Sequence, residues 1–244
     1  MAEPDALERK IADLLDEFYK RRIAGISGMN LAKPLRRKNP YLYRATGVEK
    51  ASEIVEGLLA AYVSSGDEGM FGDAFFEPLA LFASQGVVSP SQGVDVAVET
   101  DDRYTAVAVK SGPSVFNAQS RAKQVDDFRA LRSRLAKLHK QFDPLVGYCY
   151  GRKKQKPGTS AEFRELAGQA FWQEITGDPD FYLKIIHLMK DKPREHATEF
   201  KKAWDAAVNR LTKEFIEQFC LEDGSINWES ITRFNSGSGT FGAE

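Results

Sequence analysis

Apolar residues recur at helical spacing near the start of the chain, where Leu7, Ile11, Leu14, Leu15 and Phe18 predict an amphipathic helix over about 7–22. Gly25, Gly28 and Asn30 are expected to end it. The stretch NLAKPLRRKNPYLYRATG, with Pro34 and Pro40 among basic and tyrosine residues, reads as an irregular basic arm. A stripe of Ile54, Val55, Leu58, Leu59, Tyr62 and Val63 predicts a second helix, ending at a turn of Ser64, Ser65 and Gly66. A third is expected over 67–84, carried by Met70, Phe71, Phe75, Leu79 and Phe82.

Over 93–110 the period changes from helical to alternating. Val94, Val96 and Val98 fall on one face, Val107 and Val109 follow a turn at 100–103, and the pattern predicts a β-hairpin. A long helix is expected over 119–142, with Val125, Phe128, Leu131, Leu135 and Leu138 inward and its Arg and Lys residues outward. LVGYCYG at 145–151 reads as a short buried strand. Beyond the basic loop GRKKQKPG, helices are predicted over 160–176, 179–190 and 194–220, and the tail SGSGTFGAE reads as disordered.

These elements predict an α/β fold: a mixed sheet built on the 93–150 hairpin–helix–strand unit, with flanking helices and helical additions at both ends. The expected organisation is one domain over 1–244, with a core at about 66–150 and a helical, basic arm at about 1–65. A helical C-terminal region at about 158–230 and a disordered tail at about 234–244 complete it.

Composition narrows the function classes. Sixteen Phe and three Trp supply apolar surface for a full core, and no apolar run reaches the ~20 residues of a membrane helix. The charged start MAEPDALERK is unlike a signal peptide, so a cytoplasmic protein is expected. Cys149 and Cys220 form no CxxC pair, and His139, His187 and His196 form no HExxH pattern, which argues against zinc. Net charge is −1, yet residues 33–44 carry +5 and residues 110–156 carry +9, leaving −15 on the remainder. A basic module inside an acidic body suits a protein that grips a polyanion, although solvated helix faces produce the same runs.

The candidate chemistry lies in GVDVAVETDDRYTAVAVKSGP. With a turn at 100–103, Glu99 pairs with Tyr104, Ala97 with Ala106 and Asp95 with Ala108, which sets Lys110 diagonal to Asp95. Asp95 and Lys110 then share a face with Ala97, Ala106 and Ala108, and small side chains there predict an open pocket. A structural ion pair is the plainer alternative.

The order of helix, Asp-bearing strand, Lys-bearing strand ending in KSG, long helix and further strand resembles the core of the PD-(D/E)XK nucleases. The segments RKNPYLYRA, FGDAFFE, VKSGP, GYCYGR and GQAFWQEITG together resemble a family of type II restriction endonucleases, over about residues 30–190. That resemblance implies Mg²⁺-dependent hydrolysis of double-stranded DNA at a short sequence, by a homodimer, with host DNA protected by a cognate methyltransferase. It implies that Asp95 binds Mg²⁺, that a second carboxylate shares the ion, and that Lys110 acts on the attacking water or the phosphate. The family's usual acid, two positions before the Lys, is here Ala108. Glu77 is the expected replacement, from the helix before the sheet and reaching over Ala108. Asp73 and Glu68 are weaker candidates, and Pro78 leaves the direction of Glu77 open.

Arg36, Arg37, Lys38, Arg121, Lys123, Arg152, Lys153 and Lys154 are candidate DNA contacts, whether to phosphates or to bases. Ser111 and Gln124 are possible accessory residues beside the site, and Trp172 and Trp204 are expected to pack. Two rivals stand: a repair or phage-defence nuclease without a fixed recognition sequence, and a nucleic-acid-binding protein that kept the fold but lost the acid.

Overall fold

The computed structural model describes residues 4–89, 91–153 and 162–239. The chain divides into two compact units, one of Met1–Phe18 with Glu68–Pro193, the other of Tyr19–Asp67 with Arg194–Glu244. Lys154, most of the basic loop and the last five residues of the tail lie outside the described residues.

The first unit holds a five-stranded mixed sheet, in spatial order β1 (Val87–Val88), β2 (Val96–Glu99), β3 (Arg103–Lys110), β4 (Gln141–Tyr148), β5 (Arg164–Ala167). The hairpin has the expected register, Glu99 opposite Tyr104 and Ala97 opposite Ala106. β4 and β5 run parallel to β3, so helix α6 (Ala118–Leu135) serves as the crossover from β3 to β4. α6 begins at a capping box between Asn117 and Ser120 and is shorter than predicted, because Gln141 and Phe142 already belong to β4.

Helices cover both faces of the sheet. Val96, Val107, Val109 and Leu145 pack against α5 (Glu77–Ser84), α7 (Gln169–Thr176), α8 (Phe181–Met189) and the first half of α1 (Pro4–Ser27). Phe75, Phe171 and Trp172 are fully buried in this layer, each contributing ~1.5–3 kcal/mol by its removal from water. On the opposite face Ala97, Ala106 and Ala108 pack under Phe128 and Leu131 of α6, together with Val146 and Tyr148. The expected alanine-lined pocket is therefore filled: small side chains on the sheet bring α6 close, and Ala106 and Ala108 are wholly buried. Val94 also departs from its expected face. Gly93, at φ +73°, turns the chain before β2 begins and leaves Val94 in the alanine cluster.

Two further elements differ from expectation here. The single helix expected over 160–176 is instead β5, whose four half-buried positions show no alternation, followed by α7, which starts after Gly168. The expected turn at 64–66 is absent: α4 (Ala51–Phe71) runs straight through, and the Ser65 hydroxyl donates back to the Tyr62 carbonyl at 3.0 Å. The break comes later, as a π-helical turn over Gly72–Phe76 leading into α5. Pro78 accounts for it physically, since proline has no N–H to continue an i→i−4 ladder and its ring crowds the carbonyl four residues back.

The second unit is helical. α2 (Ala32–Leu35), α3 (Pro40–Ala45), α9 (Lys192–Phe219) and α10 (Trp228–Asn235) surround Leu31, Leu35, Leu58, Leu211, Phe215 and Phe219, with parts of α1 and α4. The basic arm is thus ordered into short helices. Asn39 caps α3 by accepting from Leu42 N–H at 3.2 Å, Pro40 occupies the first turn, and the Asn235 amide donates to the carbonyls of Leu35, Arg36 and Lys38. No helix among the described residues is long and apolar enough to cross a membrane.

Candidate active site

Asp95 sits immediately before β2, where Gly93 has just turned the chain. Its amide donates to Val107 O at 2.9 Å, and its carboxylate Oδ2 accepts from Val109 N–H at 2.7 Å. The expected pairing of Asp95 with Ala108 is not made: regular pairing stops at Val96 opposite Val107, and Asp95 also turns its N–H to Val107, a bulge-like step that leaves its side chain to take up the Val109 N–H. The turn itself is held from α6. Gln124 is buried, and its amide donates to Gly93 O at 2.7 Å, which makes it a tether for the Asp95 loop rather than a group open to water or DNA. A Cβ on Gly93 would stand 2.3 Å from Asp127 Oδ2, so only glycine fits between the loop and α6.

Lys110 ends β3, with its ammonium 3.6 Å from Asp95 Oδ2; the two side chains are 27% and 26% exposed. Glu77, the first residue of α5, belongs to the same electrostatic neighbourhood. Burial pushes its carboxyl up to about 7; the Asp95 charge adds to the rise, Lys110 works against it, and Asp73 contributes a smaller push upward. The Cys149 thiol feels the same groups: burial first, then Glu77, raises it well above its ordinary value, so it stays neutral.

The π turn brings this helix against the end of β3. A Cβ on Gly72 would lie 2.6 Å from Ser111 Oγ, whose hydroxyl donates to Glu68 O at 3.3 Å. The Glu68 carboxylate in turn accepts from the Tyr150 hydroxyl at 2.7 Å. Glu68 and Ser111 are therefore joined to each other and to the segment after β4, while Asp73 lies within the π turn and Glu77 beside Asp95.

The basic candidates fall into two groups. In the first unit Arg121 pairs with Glu165, Lys123 with Asp127 at 2.8 Å, and Lys153 with Glu165 at 3.1 Å, while Arg152 is exposed. Much of the charge of α6 is thus met by acids, two of them distant in sequence, since Arg129 also pairs with Glu162 at 2.6 Å. In the second unit Arg36 and Arg37 are exposed and Lys38 is half-buried, with the Arg36 guanidinium over the Phe234 ring. Trp172 is buried and donates its indole N–H to Cys149 O at 2.8 Å, and Trp204 packs against the second core, both as expected. Glu165 is a residue that sequence reasoning misses: its cluster with Arg121, Tyr148 and Lys153 has no local signature, because its members lie 12 to 44 residues from it.

Among the described residues no group of three or more His, Cys, Asp or Glu side chains is arranged to hold a metal ion. Among the described residues, Asp95 and Glu77 are the carboxylates coupled to each other and to Lys110. Asp95 Oδ1 makes no hydrogen bond to a described residue, and Glu77 is held partly protonated beside a like charge. Such a pair fits a hard divalent cation that keeps several waters, for which one or two carboxylates and substrate oxygens suffice.

No curated protein matches the chain. The family model of the Type II restriction endonuclease EcoO109I matches residues 5–197, which takes in nearly all of the sheet-bearing unit. The five-stranded mixed sheet flanked by helices agrees with a restriction-endonuclease-like fold, and the chain belongs to the type II restriction endonuclease EcoO109I family.

Proposed function

We propose that the protein is a Mg²⁺-dependent endonuclease that cuts both strands of DNA at a short defined sequence. The observation that most supports this reading is the meeting of Asp95, Lys110 and Glu77 at one end of the sheet, within a chain of this family. Asp95 and Glu77 would hold the cation, which would act as a Lewis acid toward the scissile phosphate. Asp95 is fixed for this by the Val109 amide on Oδ2, leaving Oδ1 to face a ligand. Glu77 replaces the acid missing at Ala108, and it must give up its proton before it can bind. The Lys110 ammonium stabilises charge that builds on the phosphate, in a setting half-shielded from water where such charge is felt more strongly.

Double-stranded DNA is drawn in by Arg152, Lys153 and Arg121 of the sheet-bearing unit and by Arg36, Arg37 and Lys38 of the helical one. A palindromic site calls for a two-fold homodimer, and a cytoplasmic restriction enzyme requires a cognate methyltransferase to protect host DNA. Incubation with plasmid in Mg²⁺ and in EDTA tests the reading. Discrete bands in Mg²⁺ alone are expected. A smear would make it a nuclease without a fixed sequence, and retained supercoils would favour a binding protein that lost the acid at Ala108.

A further inference from the structure

Glu165 of β5 gathers three polar groups from separate parts of the first unit. The Arg121 guanidinium, near the start of α6, donates to it in a fork, Nη1 to Oε1 at 3.0 Å and Nη2 to Oε2 at 2.7 Å. The Tyr148 hydroxyl, at the end of β4, donates to Oε1 at 2.6 Å, and Lys153 Nζ lies 3.1 Å from the same oxygen. Tyr148 is the register partner of Lys110 across the parallel β3–β4 pair, and Glu165 lies on the next strand, β5, so Tyr148 links the cluster to the candidate site.

Its layering is asymmetric. The Glu165 side chain is 15% exposed, against 41% for Arg121 and 28% for Lys153, so the acid is the more deeply buried member. Burial opposes ionisation of Glu165, but the hydrogen bonds from Arg121, Tyr148 and Lys153 outweigh it and hold the carboxyl down at about 2. Burial, followed by Glu165, raises the Tyr148 phenol, which therefore remains a donor. One carboxylate under two cations leaves a net positive charge. The fork uses two of the five guanidinium N–H donors, and Lys153 uses one of three. Each cation is also set against an aromatic face, Arg121 over Phe163 at 4.8 Å and Lys153 over Tyr148 at 5.0 Å. A brace between β5 and α6 needs only one cation. Here two are oriented in advance, with donors left over, and ordering lost before binding does not weaken the binding itself.

We propose that Glu165 is a positioning residue that holds Arg121 and Lys153 as a preformed seat for a DNA backbone phosphate beside Lys110. The proposal rests on the reading of that end of the sheet as the cleavage site. The seat is sequence-independent, because phosphate contacts position a duplex and do not read it.

The sign of one variant tests the idea. Glu165→Gln removes a negative charge from the protein, so simple attraction or a competing carboxylate predicts tighter DNA binding. A seat predicts the reverse. Binding of a labelled random-sequence duplex is measured by fluorescence anisotropy in Ca²⁺ across a salt series, with melting temperatures alongside. Glu165→Gln and the charge-preserving Arg121→Lys are each expected to weaken binding by about three- to tenfold, and the double variant to be no worse than either alone. Lys153→Gln should flatten the salt slope by about one unit. Should Glu165→Gln not fold, Arg121→Lys and Lys153→Gln carry the test. Tighter or unchanged binding in the folded variants, or no binding of duplex by the wild type at low salt, overturns the proposal. The readout is independent of cleavage. Weakened variants of a protein that leaves plasmid intact would keep the seat and remove the nuclease reading, whereas normal binding by variants of a cleaving protein would do the opposite.

Discussion

Two carboxylates of the same sheet-bearing unit are prepared in opposite ways. Glu77 is held up at about 7 by burial and by the neighbouring Asp95, with Lys110 only partly offsetting them. Glu165 is held down at about 2 by three donors that overcome its burial. The first site has negative charge in excess and invites a cation; the second has it more than neutralised and invites an anion. On the proposed reading, such a pair of sites would separate the two tasks that phosphodiester hydrolysis sets, handling the metal and handling the backbone.

The largest effect is expected at Asp95. Asp95→Asn should lower Mg²⁺-dependent plasmid cleavage by at least about a thousandfold, while duplex affinity in Ca²⁺ changes little, because the amide keeps the shape and loses the charge. Near-normal turnover would remove Asp95 from the metal side of the comparison. Glu77→Gln should be comparably inactive, since two groups that hold one ion act as a unit, whereas Asp73→Asn and Glu68→Gln should stay within about fivefold of wild type. A dead Asp73→Asn beside an active Glu77→Gln would move the second ligand into the π turn.

A smaller effect is expected in stability. Gly93→Ala requires a side chain at φ +73°, and its Cβ would meet the Asp127 carboxylate at 2.3 Å. It should destabilise folding by about 2–4 kcal/mol in urea titration, with cleavage falling as the Asp95 loop moves. An unchanged midpoint would show that the loop yields easily.

The smallest prediction concerns pH. The Glu77 carboxyl is raised in the folded chain from its ordinary 4.5 to about 7, so the stabilisation tied to its neutral form is complete below about 4.5 and is lost as pH rises through about 7. Wild type should therefore lose stability relative to Glu77→Gln on going from pH ~6 to ~8, by about 1 kcal/mol once solvent screening of this half-exposed group is counted. Mg²⁺ should reverse the trend, raising the wild-type melting temperature more at pH ~8, where the carboxylate is free to bind, than at pH ~6. Parallel pH profiles for the two proteins would separate Glu77 from the metal.

The hairpin is legible in the sequence because alternation in VAVET and YTAVAVK fixes both period and register over 96–107, which carries Asp95 close to Lys110 even though the register breaks at Asp95. Which face would be covered is not, since alanines suit an open pocket and a close helix equally well, and only Phe128 and Leu131 decide between them. β1 and β5 escape notice for a related reason: two exposed valines and the half-buried RELA carry no contrast between faces. The charge of α6 is visible, but the acids that meet it, Glu162 and Glu165, sit 33 and 44 residues from their arginines. Pairings at that separation leave no local pattern.

The π turn over Gly72–Phe76 also has a rotational meaning. Each residue of an α-helix advances the azimuth by ~100°, so one residue too many is a change of phase between the helix before the turn and the helix after it. Glu68, which touches Ser111 and Tyr150, lies ahead of the turn, and Glu77, whose charge is coupled to that of Asp95, lies after it. Removal of a single residue from the turn would restore an even ladder and swing one of these groups about a quarter of a circle from its partners. The segment therefore works like a keyed coupling, whose length, more than its composition, sets the angle at which two acids of one rod meet the sheet.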